Sequence, residues 1–257
     1  MTGLQPLDSK PWRQRTAERL AAAALESLLN AIDANDPDTG RHARRVAAAA
    51  RTLAEFADAD STLLMRVERV AIFHDIGKIH QALFDIVHEG DRLTNAERRT
   101  IRTQPARGEL VVAPLARFYP ELPAGVRAHH ERWDGAGYPD GLAGDQIPIE
   151  ARIVSIVDVF DALTHRRRYR AAGPRTAAHE FIAAGRGTHF DPALVDLFLF
   201  PPVLAAARQA SREALSRPAY QPSMVERPKR EDSRGAGESP VPEVSFRWRH
   251  TASQPND

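Results

Sequence analysis

The sequence predicts an all-α bundle, and three observations carry that prediction. Apolar residues recur at three- and four-residue spacing from about residue 15 to residue 199. Alanine and arginine, both good helix formers, are plentiful, while aromatic residues make up only 7% of the chain. No stretch alternates apolar and polar residues in the manner of a half-buried strand, and no fixed-period repeat is visible.

The elements follow in order. Residues 15–34 put Leu20, Ala23, Ala24, Leu28 and Ile32 on one helical face. Residues 39–57 repeat the pattern with Val46, Ala50, Leu53 and Phe56, and residues 61–74 with Leu63, Leu64, Val67, Val70, Ala71 and Phe73. Thr94 and Glu97 have the spacing of a capping box, which predicts one helix from there through Val112. A short helix over 122–130 is followed by a strongly apolar one over 149–164, and helices over 176–186 and 192–199 complete the set.

Three zones differ in composition. Residues 1–14 carry Gly3, Pro6 and Pro11 and read as a flexible leader. Residues 15–208 form the folded domain. Residues 209–257 combine Pro218, Pro222, Pro228, Pro240, Pro242 and Pro255 with few apolar residues. Such a segment buries too little surface to offset its chain entropy, so it reads as a disordered tail.

Composition also excludes function classes. The chain of 257 residues has no cysteine, which removes disulfides, thiolate metal sites and cysteine nucleophiles. Any metal here must use His, Asp or Glu. With 35 Lys and Arg against 34 Asp and Glu, the net charge is +1, so no bulk field recruits a nucleic acid polymer. No apolar run approaches the roughly 18 residues of a membrane span, and no signal peptide is visible, so the sequence predicts a soluble cytoplasmic protein without a membrane partner. No Walker loop, Ser-His-Asp arrangement or dinucleotide fingerprint points to a rival chemistry.

Two constellations carry chemistry. His74 is followed by Asp75 and then Ile76-Gly77-Lys78 at the end of an apolar helix. A carboxylate can bridge two metals, and a lysine one turn on can stabilise phosphate charge. His129 and His130 precede a loop rich in Gly and Pro, where a helix terminus lets both imidazoles turn inward. Asp158 lies between Val157 and Val159 on a helix full of core residues. An ionised carboxylate there needs a cation, either a metal or an arginine. Asp161 is one turn further along the same face.

Together, "TGRHARRV" (39–46), "HDIGKI" (74–79), "LTNAE" (93–97), "HHERWDGAGYPDGLAGDQIPIEARI" (129–153), "VDVFDALT" (157–164), "RRYR" (167–170) and "GTHFDPALVDLF" (187–198) resemble the HD-GYP family. These are bacterial HD-superfamily phosphodiesterases that hydrolyse cyclic di-GMP. The resemblance implies an HD-domain helical bundle with two divalent metals, iron or manganese, and in some members a third. It implies that His42, His74, Asp75 and Asp158 hold the first metal, that Asp75 bridges to a second bound by His129 and His130, and that Asp38 supports a third. Lys78 would contact the scissile phosphate, and with Asp75 it forms the catalytic pair. Tyr138, Asp161, Arg167 and Arg170 fall at positions associated with substrate binding, and the GYP loop at a surface for signalling protein partners.

One departure bears on the metals. Where the family places a His in the helix after "LTxxE", this chain has Gln104, in "IRTQPARG". An amide oxygen is a poorer donor than imidazole to mid-row divalent metals. Two metals about 3.5–4 Å apart would supply the activated water and the charge neutralisation that phosphodiester hydrolysis needs. Besides this leading reading, Gln104 leaves open a catalytically weakened module that binds cyclic dinucleotide or protein partners, and the wider superfamily leaves open hydrolysis of another nucleotide.

Overall fold

The computed structural model describes residues 12–79, 94–165 and 173–216. They form ten α-helices with short 3-10 turns and no strand. In chain order these are α1 (Trp12–Asn35), α2 (Pro37–Phe56), α3 (Ser61–Phe73), α4 (Asn95–Ile101), α5 (Gln104–Val112), α6 (Glu121–Ala128), α7 (Ile149–Thr164), α8 (Arg175–Ala184), α9 (Pro192–Leu199) and α10 (Pro201–Ala214). Residues 1–11 of the expected leader and most of the tail lie outside the described residues, as do the "RRYR" segment and the linker after Ile79; residues 12–14, expected in the leader, instead open α1.

Side-chain caps fix several helix starts. The Asp36 carboxylate accepts from Asp38 N at 3.1 Å, ahead of Pro37, whose missing N–H costs nothing in the first turn. The Asp60 carboxylate accepts from Leu63 N at 2.7 Å, and Asp191 from Ala193 N at 2.9 Å. The capping box forms: Thr94 N donates to Glu97 at 2.6 Å, and Glu97 N to the Thr94 hydroxyl at 3.2 Å.

Helix α2 is central and packs against α1, α3, α7 and α10. Its Val46, Ala50 and Leu53 are fully buried, as are Val67 and Val70 on α3 and Ile153 and Ile156 on α7. Each of the Val, Leu and Ile side chains contributes about 1.5–3 kcal/mol through burial. Phe160 and Phe198 meet edge to face at 5.2 Å and tie α7 to α9.

Two expectations are corrected. The single helix from Thr94 through Val112 is broken into α4 and α5. Pro105 has no N–H to donate to Ile101, and its ring would clash in a continuous helix. The folded domain also passes residue 208. Helix α10 continues to Ala214, and Ser211 is buried with its hydroxyl donating to Arg45 O at 3.1 Å. Val203, Ala207 and Ser211 recur every fourth residue on its buried face; these small residues gave too weak an apolar signal to be read from composition.

Close backbone approach positions the turn after α3. A Cβ on Gly77 would lie 2.2 Å from Gln104 O, so only glycine lets the His74–Lys78 turn pack against the start of α5. Among the described residues, no single helix is long and apolar enough to cross a membrane.

Candidate metal centre

Helices α2, α3 and α7 deliver His42, the His74–Asp75 pair and Asp158 to one buried point. Ligand atoms of His42, His74 and Asp158 all lie within 4.8 Å of one another. Nε2 of His42 is 3.0 Å from Asp158 Oδ1 and 3.8 Å from Asp75 Oδ2. Nε2 of His74 is 3.4 Å from Asp75 Oδ2 and 3.8 Å from Asp158 Oδ1.

The opposite ring nitrogens are anchored. Nδ1 of His74, at the C-cap of α3, donates to Ala71 O at 2.7 Å, and Nδ1 of His129, at the C-cap of α6, donates to Val126 O at 2.6 Å. A carbonyl can only accept, so each Nε2 is left with its lone pair facing inward. His42 is set the same way by Asp161, whose carboxylate takes Nδ1 at 2.6 Å. The rings of His42 and His74 lie 5.3 Å apart, His74 and His129 5.2 Å, and His129 and His130 4.1 Å, so the four imidazoles form one continuous row.

Electrostatics divide this row. Burial would depress His74, but the Asp75 and Asp158 carboxylates raise it to about 10. Burial, with His130 and His74 nearby, holds His129 well below its ordinary value, and burial brings His130 down to about 4. Burial opposes ionisation of Asp75, but Lys78 and His74 hold it well below the carboxylate range; His42 and His74 do the same for buried Asp158. His129 and His130 are thus neutral and Asp75 and Asp158 ionised, the forms that ligate metal, whereas His74 holds a proton between its two carboxylates that a bound cation would displace.

These residues fit a divalent metal. Nε2 of His74, Nε2 of His129 and Oε1 of Gln104 are buried without a hydrogen-bond partner. Buried polar atoms are rarely left unpaired, and here they belong to a group of nitrogen and oxygen donors beside carboxylates. Gln104 occupies the row's edge: its amide nitrogen donates to His74 O at 3.0 Å and lies 3.5 Å from Asp75 Oδ1. Lys78 Nζ lies 2.5 Å from Asp75 Oδ2 and stays partly exposed.

Above the row sits the loop after His130. Glu131 is buried, and its carboxylate accepts from Asp140 N at 2.7 Å, Gly141 N at 3.1 Å and Leu142 N at 3.1 Å, which folds the loop back on itself. A Cβ on Gly137 would fall 2.4 Å from Arg132 N, so this crossing admits only glycine. Trp133 N and Asp134 N donate to His189 O and Thr188 O at 3.1 and 2.9 Å, clamping the loop to the turn before α9. Tyr138 thereby stacks on His130 with ring centres 4.9 Å apart. Burial raises its phenol to about 12, so it keeps its proton at neutral pH.

Not every expected site residue joins this group. Asp38 is exposed at the start of α2 and pairs with Arg41. Asp161, expected to contact substrate, has its carboxylate taken by His42, by Arg45 through Nε and Nη2 at 2.8 Å each, and by His165 at 2.9 Å. It is a positioning residue for His42. Arg167 and Arg170 lie outside the described residues, as do His80 and His88. The sequence reading gave no role to Glu131 or Arg45, although Glu131 is inside the quoted motif and Arg45 stands three residues from His42 on the same helix face.

A family model of the HD domain matches residues 26–194. The chain belongs to the HD domain family. The HD-GYP resemblance read from the motifs holds within it. Over 177 residues, this HD-domain chain is 38% identical to the "Cyclic di-GMP phosphodiesterase response regulator RpfG" of Xanthomonas campestris pv. campestris, covering 68% of this chain and 46% of that one. Over 202 residues it is 33% identical to a "Probable cyclic di-GMP phosphodiesterase" of Vibrio cholerae, covering 73% and 46%. Over 175 residues it is 35% identical to the "3'3'-cGAMP-specific phosphodiesterase 2" of the same organism, covering 67% and 33%. The chain thus spans about half, or less, of the length of these relatives. Bd1817, an HDG"Y"P protein from Bdellovibrio bacteriovorus, shares the fold with TM-score 0.53 at 17% identity, covering 79% of this chain and 64% of that one.

Proposed function

We propose that this HD domain is a metal-dependent phosphodiesterase that hydrolyses cyclic di-GMP to a linear dinucleotide or GMP. The observation that carries the reading is the pair of buried, unpartnered Nε2 atoms on His74 and His129, in adjacent rings, with the His74 Nε2 beside the Asp75 and Asp158 carboxylates. The names of the curated relatives point to the same substrate class.

His42, His74, Asp75 and Asp158 would hold one metal, iron or manganese, and His129 and His130 a second with Asp75 shared. Bound divalent metals supply Lewis-acid charge and an activated water. The chain's own groups do the rest. Asp161 and the carbonyls of Ala71 and Val126 orient His42, His74 and His129. Lys78, steered by Asp75, presents its ammonium to a phosphoryl oxygen and stabilises the charge that develops there. Tyr138, protonated at neutral pH, presents a hydroxyl donor at the rim. The outward side of the loop, with Asp134, Ala136 and Asp140 exposed, offers a surface to signalling partners.

Gln104 favours a second reading, a weakened module that binds the dinucleotide and turns it over slowly. Its buried amide oxygen would stand where the family's imidazole supports a second metal, and it is the poorer donor. Incubating manganese- or iron-loaded protein with cyclic di-GMP and following the products separates the two readings. Rapid multiple turnovers support the enzyme, and tight binding with little or no turnover supports the module.

A further inference from the structure

Arg102 caps the C-terminus of α4, at the break that separates it from α5. Two residues on, Gln104 turns into the metal centre, whereas Arg102 stays exposed with its guanidinium carbon 4.8 Å from the centre of the Tyr138 ring. Tyr138 stacks in turn on His130, at 4.9 Å. A column therefore runs from the buried imidazoles, through one phenol ring, to an exposed cation at the rim.

The cation is uncommitted to an acid. Among the described residues no carboxylate pairs with Arg102. By contrast, Arg127 is held by Asp140 at 2.6 Å, Arg132 by Asp134 at 2.5 Å and Arg186 by Asp196 at 2.7 Å. Stacking on an aromatic ring engages only the face of a guanidinium. It orients the planar fork and leaves the N–H edge free for an anion.

We propose that Arg102 forms a second phosphate subsite, binding the non-reacting phosphate of a cyclic dinucleotide while the reacting one lies at Lys78. The inference rests on the phosphodiesterase reading above. A cyclic dinucleotide carries two phosphodiester anions on opposite sides of its macrocycle, and the cation at the reacting phosphate meets only one of them; Arg167 and Arg170, also expected to bind substrate, lie outside the described residues. Lys78 pairs with Asp75, whose carboxylate stands beside His74. Arg102 lies beyond Tyr138 at the outer end, with bidentate geometry suited to phosphate. Tyr138 then serves as the platform that aims this fork.

The test compares Arg102→Ala and Arg102→Lys with the parent on two substrates, cyclic di-GMP and bis(p-nitrophenyl) phosphate, which has a single phosphodiester. Arg102→Ala should raise KM for cyclic di-GMP about 10- to 100-fold, the range for a lost hydrogen bond to a charged group, with kcat little changed. Turnover of the single-phosphate ester and the melting temperature should match the parent. Arg102→Lys should recover part of the loss, since it keeps the charge without the fork. An unchanged KM for cyclic di-GMP, or an equal loss on both substrates, overturns the subsite. A parent that cleaves only the single-phosphate ester, and no cyclic dinucleotide, overturns the substrate reading and this inference with it.

Discussion

Oδ2 of Asp161 lies 2.6 Å from Nδ1 of His42, and Arg45 grips the same carboxylate through Nε and Nη2 at 2.8 Å each. The carboxylate accepts the Nδ1 proton, so Nε2 of His42 faces Asp158 as a lone-pair donor. Burial opposes the Asp161 charge, but Arg45, His165 and His42 hold its carboxyl far below the ordinary range. It remains ionised, and keeps His42 aimed, down to strongly acidic pH. Asp161→Asn preserves shape but not charge. It should weaken metal binding about 10–100-fold, with activity recovered at higher metal concentration, as seen by titration calorimetry.

Gln104 bears on the second metal. Its side chain already donates to His74 O, and its Oε1 is buried without a partner. Gln104→His should add an imidazole to His129 and His130 and raise both bound metal per chain and turnover of cyclic di-GMP. Elemental analysis beside a manganese titration of activity checks both.

The loop gives a separable test. Gly137→Ala places a methyl 2.4 Å from Arg132 N and 2.5 Å from Glu131 Cα, both of them backbone. The loop must shift, carrying Tyr138 away from His130. Activity on cyclic di-GMP should fall at least about 10-fold, because such misplacement of positioned groups is costly, while bound metal stays near the parent's.

Truncation locates the domain's end. Removing residues after Ser216 should leave the melting temperature within a few degrees of the full chain. Removing those after Arg208 takes away Ser211, its bond to Arg45 O and the last turns of α10 against α2. That cut should lower stability by about 1–3 kcal/mol or more, measured by denaturant unfolding.

Much of this was legible in the sequence, unevenly. Helices with a strong apolar stripe, such as α7 and α9, were placed with their bounds, because burial on one face dictates period and length. The break at Pro105 was missed because the capping box at Thr94 announced a start and the apolar pattern resumed beyond the proline. The end of α10 was missed because its buried face is built from small residues. At the site, His42, His74, Asp75, His129, His130 and Asp158 were named from motifs, and the structure brings them together. Roles that depend on a partner far along the chain were not legible. Asp161 is 119 residues from His42, and spacing alone could not show that it faces the imidazole rather than the substrate. Glu131 likewise acts through backbone N–H groups of a loop whose path no local pattern gives.

The most direct measurement pairs metal content with hydrolysis of cyclic di-GMP, for the parent and for Asp75→Ala, both purified without oxygen. Asp75 Oδ2 lies 3.4 Å from His74 Nε2, 3.8 Å from His42 Nε2 and 2.5 Å from Lys78 Nζ, so one carboxylate faces both imidazoles and the ammonium. The account predicts bound transition metal and multiple turnovers for the parent, and loss of both in the variant. A variant that keeps the parent's metal content, or a metal-loaded parent that neither binds nor cleaves cyclic di-GMP, would contradict it.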